Sequence, residues 1–154
     1  MDNINSLSFT PERKISMKID NIDVYLRDNG VNPSYQRTKI FEYMQNHHIH
    51  PTVNEIYEAL VPSIPTLSKT TVYNTLNLFV EKRIVELVNI EGNESRYEIY
   101  SPEEHAHFKC EKCERIYDIP IDFSNIKVKE LEGFQIKSQQ IHFIGICRSC
   151  SKNK

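Results

Sequence analysis

Hydrophobic residues recur at helical spacing in the first part of the chain and at strand spacing in the second. Ile15, Ile19, Ile22 and Leu26 form the first helical stripe, with Gly30 placed as a C-terminal cap. Asn32-Pro33-Ser34 interrupts it. Ser34 then caps a second helix, Tyr35 to about Asn46, with Ile40, Phe41 and Met44 turned inward. His47-His48-Ile49-His50-Pro51 reads as a loop, and Thr52-Val53-Asn54-Glu55 as a capping box that starts a third helix carrying Ile56 and Leu60. A proline-punctuated turn, residues 61–67, leads to a fourth helix capped by Ser68 and running to about Lys82, with Val72, Leu76 and Phe79 as its buried stripe. Ile84–Ile90 and Ser95–Tyr100 then predict a hairpin joined at residues 91–94. The last three of these helices followed by a two-stranded ribbon give the layout of a winged helix-turn-helix.

Ser101-Pro102-Glu103-Glu104 is a polar hinge and marks a domain boundary. Beyond it, residues 106–109, 114–119 and 135–146 predict strands, and Ile126, Val128 and Leu131 a short helix before the last one. The expected class is α+β. A polar arm (1–14) precedes a winged-helix DNA-binding domain (15–100), a hinge (101–104) and a small α/β dimerisation and zinc-binding domain (105–154). The last domain is short of core, so metal, dimerisation or both are expected to stabilise it.

Composition adds limits. The 154 residues suffice for one or two small domains, and 39% apolar content supports modest cores. A formal net charge of −2 does not advertise nucleic-acid binding, and residues 1–89 carry about as many acids as bases. Any DNA affinity therefore rests on geometry and symmetry more than on a broad basic field. The sequence Met1-Asp2-Asn3-Ile4-Asn5 lacks the basic and apolar segments of an export signal, and no apolar run is long enough to span a bilayer. A cytoplasmic setting with reduced thiols is expected, with no membrane partner.

All four cysteines fall in two C-x-x-C pairs, Cys110/Cys113 and Cys147/Cys150. Together they suit a closed tetrahedral zinc site; a redox dithiol or disulfide is the alternative. His105 and His107 alternate on a strand, so both imidazoles share a face. By themselves they are as consistent with an exposed strand as with metal ligands. His50 alone reads as a helix-flanking surface residue, Glu98 and Asp118 as solvated carboxylates, and His142 as structural in a strand.

Several motifs coincide in order over about residues 18–150: Gln36-Arg37, His50-Pro51-Thr52, Thr71-Val72-Tyr73-Asn74, Arg96-Tyr97-Glu98, His105-Ala106-His107, the two cysteine pairs and Gly145-Ile146-Cys147. With them the chain resembles the ferric uptake regulator (Fur) superfamily of bacterial metal-dependent repressors, and within it the peroxide-sensing PerR branch. The resemblance implies a permanent structural zinc on the four cysteines. It also implies a regulatory Fe(II) or Mn(II) ion on His50, Glu98, His105, His107 and Asp118, drawn from both domains so that metal binding closes the hinge of a homodimer. His47 and His48 match no ligand of the family.

Asp at position 118 matches the peroxide branch, whereas Glu at position 98 matches iron sensors. Ala106 and Gln139 stand where iron sensors often carry further ligands. In a peroxide sensor of this family, Fe(II) and hydrogen peroxide oxidise a ligand imidazole; the corresponding positions are His50 and His105. An iron-uptake regulator is the alternative, and zinc-uptake control comes third. For DNA, Arg37 and Lys69 can contact phosphates, Tyr73 a thymine methyl and Asn74 base edges; partial burial is the competing role for Tyr73. The expected partner is an AT-rich inverted repeat. An enzyme, whether zinc hydrolase or thiol oxidoreductase, is disfavoured because no H-E-x-x-H-type arrangement is present. A metal buffer would leave the recognition helix and wing without a role.

Overall fold

The computed structural model describes residues 18–47, 50–90 and 94–152. They fall in two compact units, one within Ser16–Pro102 and the other within Glu103–Lys154. The expected arm (1–14), Ile15, His48 and most of the hairpin turn (91–93) lie outside the described residues.

The first unit holds α1 (Ile22–Asp28), α2 (Tyr35–Asn46), α3 (Val53–Leu60), α4 (Lys69–Glu81) and the antiparallel pair β1 (Val85–Val88) and β2 (Arg96–Ile99). The first helix is shorter than its apolar spacing predicts. Asn21 caps it through a side-chain bond to the Val24 N–H, which leaves Ile19 before the helix. Gly30 ends it at φ +77°, and the Val31 N–H returns to the Leu26 carbonyl as a Schellman closure requires. Ser34, Thr52 and Ser68 cap α2, α3 and α4 as expected, and Thr52 and Glu55 form a complete capping box. The stripes of α2 and α4 meet in one core, where Phe41 packs edge-on to Phe79 at 6.0 Å and Tyr25 lies 5.2 Å from Phe41. Burial of such side chains stabilises the unit by about 1.5–3 kcal/mol each. This is a winged helix-turn-helix: α3 and α4 form the motif, and β1–β2 the wing.

The second unit is a three-stranded sheet ordered β4-β3-β5, from β3 (His105–Cys110), β4 (Ile116–Pro120) and β5 (His142–Gly145). β3 pairs antiparallel with β4 and parallel with β5. A short helix, α5 (Arg148–Lys152), follows. Two expectations are corrected here. The helix expected around 126–131 is two 3-10 turns, Phe123–Asn125 and Lys129–Leu131, because too few apolar positions repeat to bury a full helical stripe. The long strand expected over 135–146 shrinks to its last part, since only His142–Gly145 find a ladder on β3.

Candidate metal centres and recognition helix

The cysteine cluster is built by two turns. Cys110 ends β3, and the chain reverses through residues 111–114, with Glu114 at φ +58° and its N–H bonded to the Cys110 carbonyl. Cys147 follows β5, and Cys150 lies in the first turn of α5. The parallel β3–β5 ladder brings the turns together, and all four sulfurs lie within 4.8 Å of one another. Cys113 Sγ and Cys147 Sγ are 3.8 Å apart, which is about the edge of a tetrahedron with Zn–S bonds near 2.3 Å.

The electrostatics fit a cation. The Cys147 N–H donates to Cys110 Sγ at 3.3 Å, and this bond, with further backbone N–H groups, brings the Cys110 thiol down to about 6. The Tyr117 hydroxyl, then the Cys150 N–H, lower Cys147, while Tyr117 itself is pushed up to about 12 by that bond. Cys150 is pushed up to about 12, chiefly by Cys147 and then by burial. Without a cation the four sulfurs cannot all ionise; a zinc ion would displace the Cys150 proton. The donor set fits a closed structural zinc.

Each unit carries histidines and carboxylates of the expected set. In the winged-helix unit, His50 Nε2 lies 3.1 Å from Glu98 Oε2. Their side chains are only 5% and 12% exposed, so neither is the solvated surface residue that each would be alone. Two bonds and the β-bridge they flank set this pair. The Tyr97 N–H donates to the Pro51 carbonyl, Thr52 bridges to Arg96, and Arg96 Nη1 donates to the His50 carbonyl at 2.9 Å. Arg96 also pairs with Glu55, the carboxylate of the α3 capping box, at 3.2 Å. His50 itself sits at φ +46°, a left-handed conformation that L residues rarely adopt and that the surrounding bonds must hold.

In the sheet unit, His105 Nε2 and His107 Nε2 lie 4.0 and 3.7 Å from Asp118 Oδ1. Both imidazoles are 7% exposed, which removes the exposed-strand reading. His105 Nδ1 is 3.1 Å from the Glu103 carbonyl. A proton on Nδ1 donated there leaves the Nε2 lone pair for a ligand, the usual support for a metal-bound histidine. His142, read from the sequence as structural in a strand, pairs with His107 across β3–β5. Burial, then the neighbouring His107, hold His142 below the usual imidazole range. Only the strand register makes it a neighbour, and register is not written in local spacing.

On α4, Tyr73 is 51% exposed, so it is half-covered while still presenting a face to solvent, and Asn74 beside it is exposed. Lys69 Nζ sits 5.4 Å from the centre of the Tyr57 ring. Arg37 Nη1 donates to the Asn32 carbonyl at 2.7 Å. His47 stacks on Tyr43 at 4.2 Å, and its Nδ1 lies 2.8 Å from the Tyr43 carbonyl. Among the described residues, no helix is long and apolar enough to cross a membrane.

Comparison with known proteins agrees with this architecture. The model of the ferric uptake regulator family matches residues 28–144. The peroxide-responsive repressor PerR of Staphylococcus epidermidis is 32% identical over 130 residues, covering 82% of this chain and 86% of that protein. The PerR of Staphylococcus aureus strain USA300 is 33% identical over 132 residues, covering 81% and 86%. Among solved structures, the Vibrio cholerae ferric uptake regulator superposes with a TM-score of 0.70 at 25% identity, covering 82% of this chain and 100% of that one. The chain belongs to the ferric uptake regulator family of transcriptional regulators.

Proposed function

We propose that this chain is a homodimeric, metal-dependent transcriptional repressor that senses peroxide. Its regulatory Fe(II) or Mn(II) ion would be held by His50 and Glu98 of the winged-helix unit with His105, His107 and Asp118 of the sheet unit. The observation that carries this reading is the low exposure of all five side chains in an otherwise solvated class of residue: 5% for His50, 12% for Glu98, 7% for His105 and His107, and 20% for Asp118. Three imidazoles and two carboxylates suit Fe(II) or Mn(II) and would also accept Zn(II). The protein supplies the rest. Arg96 and the Pro51–Tyr97 bond fix the His50 loop, and the Glu103 carbonyl orients His105.

An ion that needs ligands from both units favours the arrangement in which both contribute, which is a population shift that sets the spacing of two α4 helices in a dimer. Tyr73 and Asn74 would then meet base edges of an AT-rich inverted repeat, with Arg37 and Lys69 near phosphates. Exposed apolar side chains of the sheet unit, among them Phe134, Ile136, Phe143 and Ile146, supply a surface for self-association. With Fe(II) bound, hydrogen peroxide would act as the two-electron oxidant. Its O–O bond breaks, one oxygen replaces the hydrogen on a ring carbon of His50 or His105 as a hydroxyl, and the other leaves as water, so that a ligand is lost and DNA released. Mn(II) would give a peroxide-insensitive form. The kinship with peroxide-responsive repressors and Asp118 support peroxide sensing. Glu98 favours the second reading, an iron-uptake regulator.

The test is DNA binding with Fe(II) or Mn(II), before and after low peroxide, with mass spectrometry on the same samples. The peroxide reading expects only the iron form to lose DNA and gain one oxygen on the peptide of His50 or His105. Iron-loaded protein that holds DNA and stays unmodified overturns it in favour of iron-uptake control.

A further inference from the structure

The sheet unit carries a row of ligand-type side chains that runs across all three strands. Asp118 on β4 is paired with His107 on β3, and His107 is paired with His142 on β5. Directly paired residues share a sheet face, and His105, two residues before His107, shares it as well. The ring centres of His105 and His107 are 4.8 Å apart, and those of His107 and His142 are 5.7 Å apart. Two imidazoles bound to one ion through metal–nitrogen bonds near 2.1 Å have ring centres roughly 4.5–6 Å apart, depending on the angle at the metal. Both spacings fall in that range. His142 carries a second mark: its Nδ1 is buried and has no hydrogen-bond partner. Nearly all buried polar atoms in folded proteins are satisfied, and an orphaned imidazole nitrogen on a ring next to His107, whose own Nε2 lies 3.7 Å from Asp118, points to a cation.

We propose that His142 is a metal ligand, and that with His105, His107 and Asp118 it lets the sheet hold a four-coordinate divalent cation without His50 or Glu98. Three imidazoles and one carboxylate are a complete tetrahedral set for a borderline ion such as Zn(II) or Co(II). The proposal rests on the regulatory reading for three of its four ligands and adds a second mode of loading to it. A higher-coordinate, oxygen-preferring ion such as Mn(II) gains from Glu98 and His50. A tetrahedral ion is satisfied by the sheet alone, and so gives no reason for the winged-helix unit to contribute. The choice of metal would thus decide whether the two units are tied.

The experiment uses the full chain with zinc in the cysteine cluster and titrates Co(II), whose visible absorption is strong only when the ion is four-coordinate. The double variant H50A/E98A is compared with the triple variants H50A/E98A/H142A and H50A/E98A/H142Q. Retained zinc and an unchanged thermal transition certify the fold, and the glutamine variant guards against loss of packing. The proposal expects the double variant to bind one Co(II) with the intense spectrum, and both triple variants to lose that spectrum and at least tenfold in affinity. It is overturned if the triple variants titrate like the double variant, or if the double variant binds no Co(II). Mn(II)-dependent DNA binding of H50A/E98A is measured in parallel. If that stays at the wild-type level, the regulatory reading fails, whatever the cobalt spectra show.

Discussion

Arg96→Met isolates the support of His50 from its role as a ligand. Arg96 Nη1 donates to the His50 carbonyl at 2.9 Å and reaches Glu55 at 3.2 Å. A hydrogen bond from a charged group contributes about 1.5–3 kcal/mol, and the lower end applies because the Arg96 side chain is 24% exposed. The Arg96–Glu55 pair, with Glu55 44% exposed, adds about 0.5 kcal/mol. Methionine keeps most of the aliphatic stem and removes both bonds, so about 2 kcal/mol of support for the loop is lost. His50 is held at φ +46° and has a more relaxed backbone to fall into once the bond is gone. If His50 must be in place to ligate, that loss weakens regulatory Mn(II) binding by about thirtyfold, at 1.4 kcal/mol per factor of ten. The assay is chelator competition for Mn(II), with DNA binding followed by fluorescence anisotropy at fixed metal. Arg96→Lys keeps a charge but not the planar fork, and falls between the two. A Met variant that is less stable by the expected amount yet binds Mn(II) like wild type refutes the reasoning, because the loop would then not be limiting for the metal.

Cys147→Ser should cost the sheet unit its zinc and its fold together, since structural zinc contributes on the order of 10 kcal/mol in small metal-dependent domains; zinc content and near-ultraviolet circular dichroism check this, and a folded unit without zinc contradicts it. Thr52→Ala removes the hydroxyl that accepts from the Glu55 N–H at 3.1 Å and should destabilise the protein by about 1 kcal/mol in urea unfolding. Because the capping box is reciprocal, the T52A/E55A double variant should lose less than the sum of the singles. Tyr73→Ala, on an exposed position of α4, should leave stability within about 0.5 kcal/mol and weaken operator binding by about 1–3 kcal/mol; equal loss on unrelated DNA would refute base-edge contact.

The helical half was legible because each signal is local. Ser34, Thr52 and Ser68 announce their helices within four residues, and the stripes of α2 and α4 show in spacing alone. The first helix was over-extended because Ile19 continues an apolar period while Asn21, three residues before Val24, caps more strongly. The sheet half was harder. Its 3-10 turns and the short β5 depend on which residues find a ladder, a non-local property. Both cysteine turns were readable from spacing, since each C-x-x-C pair is a local motif. The burial of His50 and Glu98 was not readable, because it depends on the Pro51–Tyr97 bond and on Arg96, 46 residues from His50. His142 escaped for the same reason as β5: its partner is set by the parallel register with His107.

The central claim is that residues of both units hold one regulatory ion on which DNA binding depends. The most direct measurement is operator affinity against Mn(II) concentration for wild type, Glu98→Ala and Asp118→Ala, one ligand removed from each unit. The account predicts that each variant keeps its structural zinc but loses at least tenfold in metal-dependent affinity. A wild-type Mn(II) response from either variant would contradict a shared site.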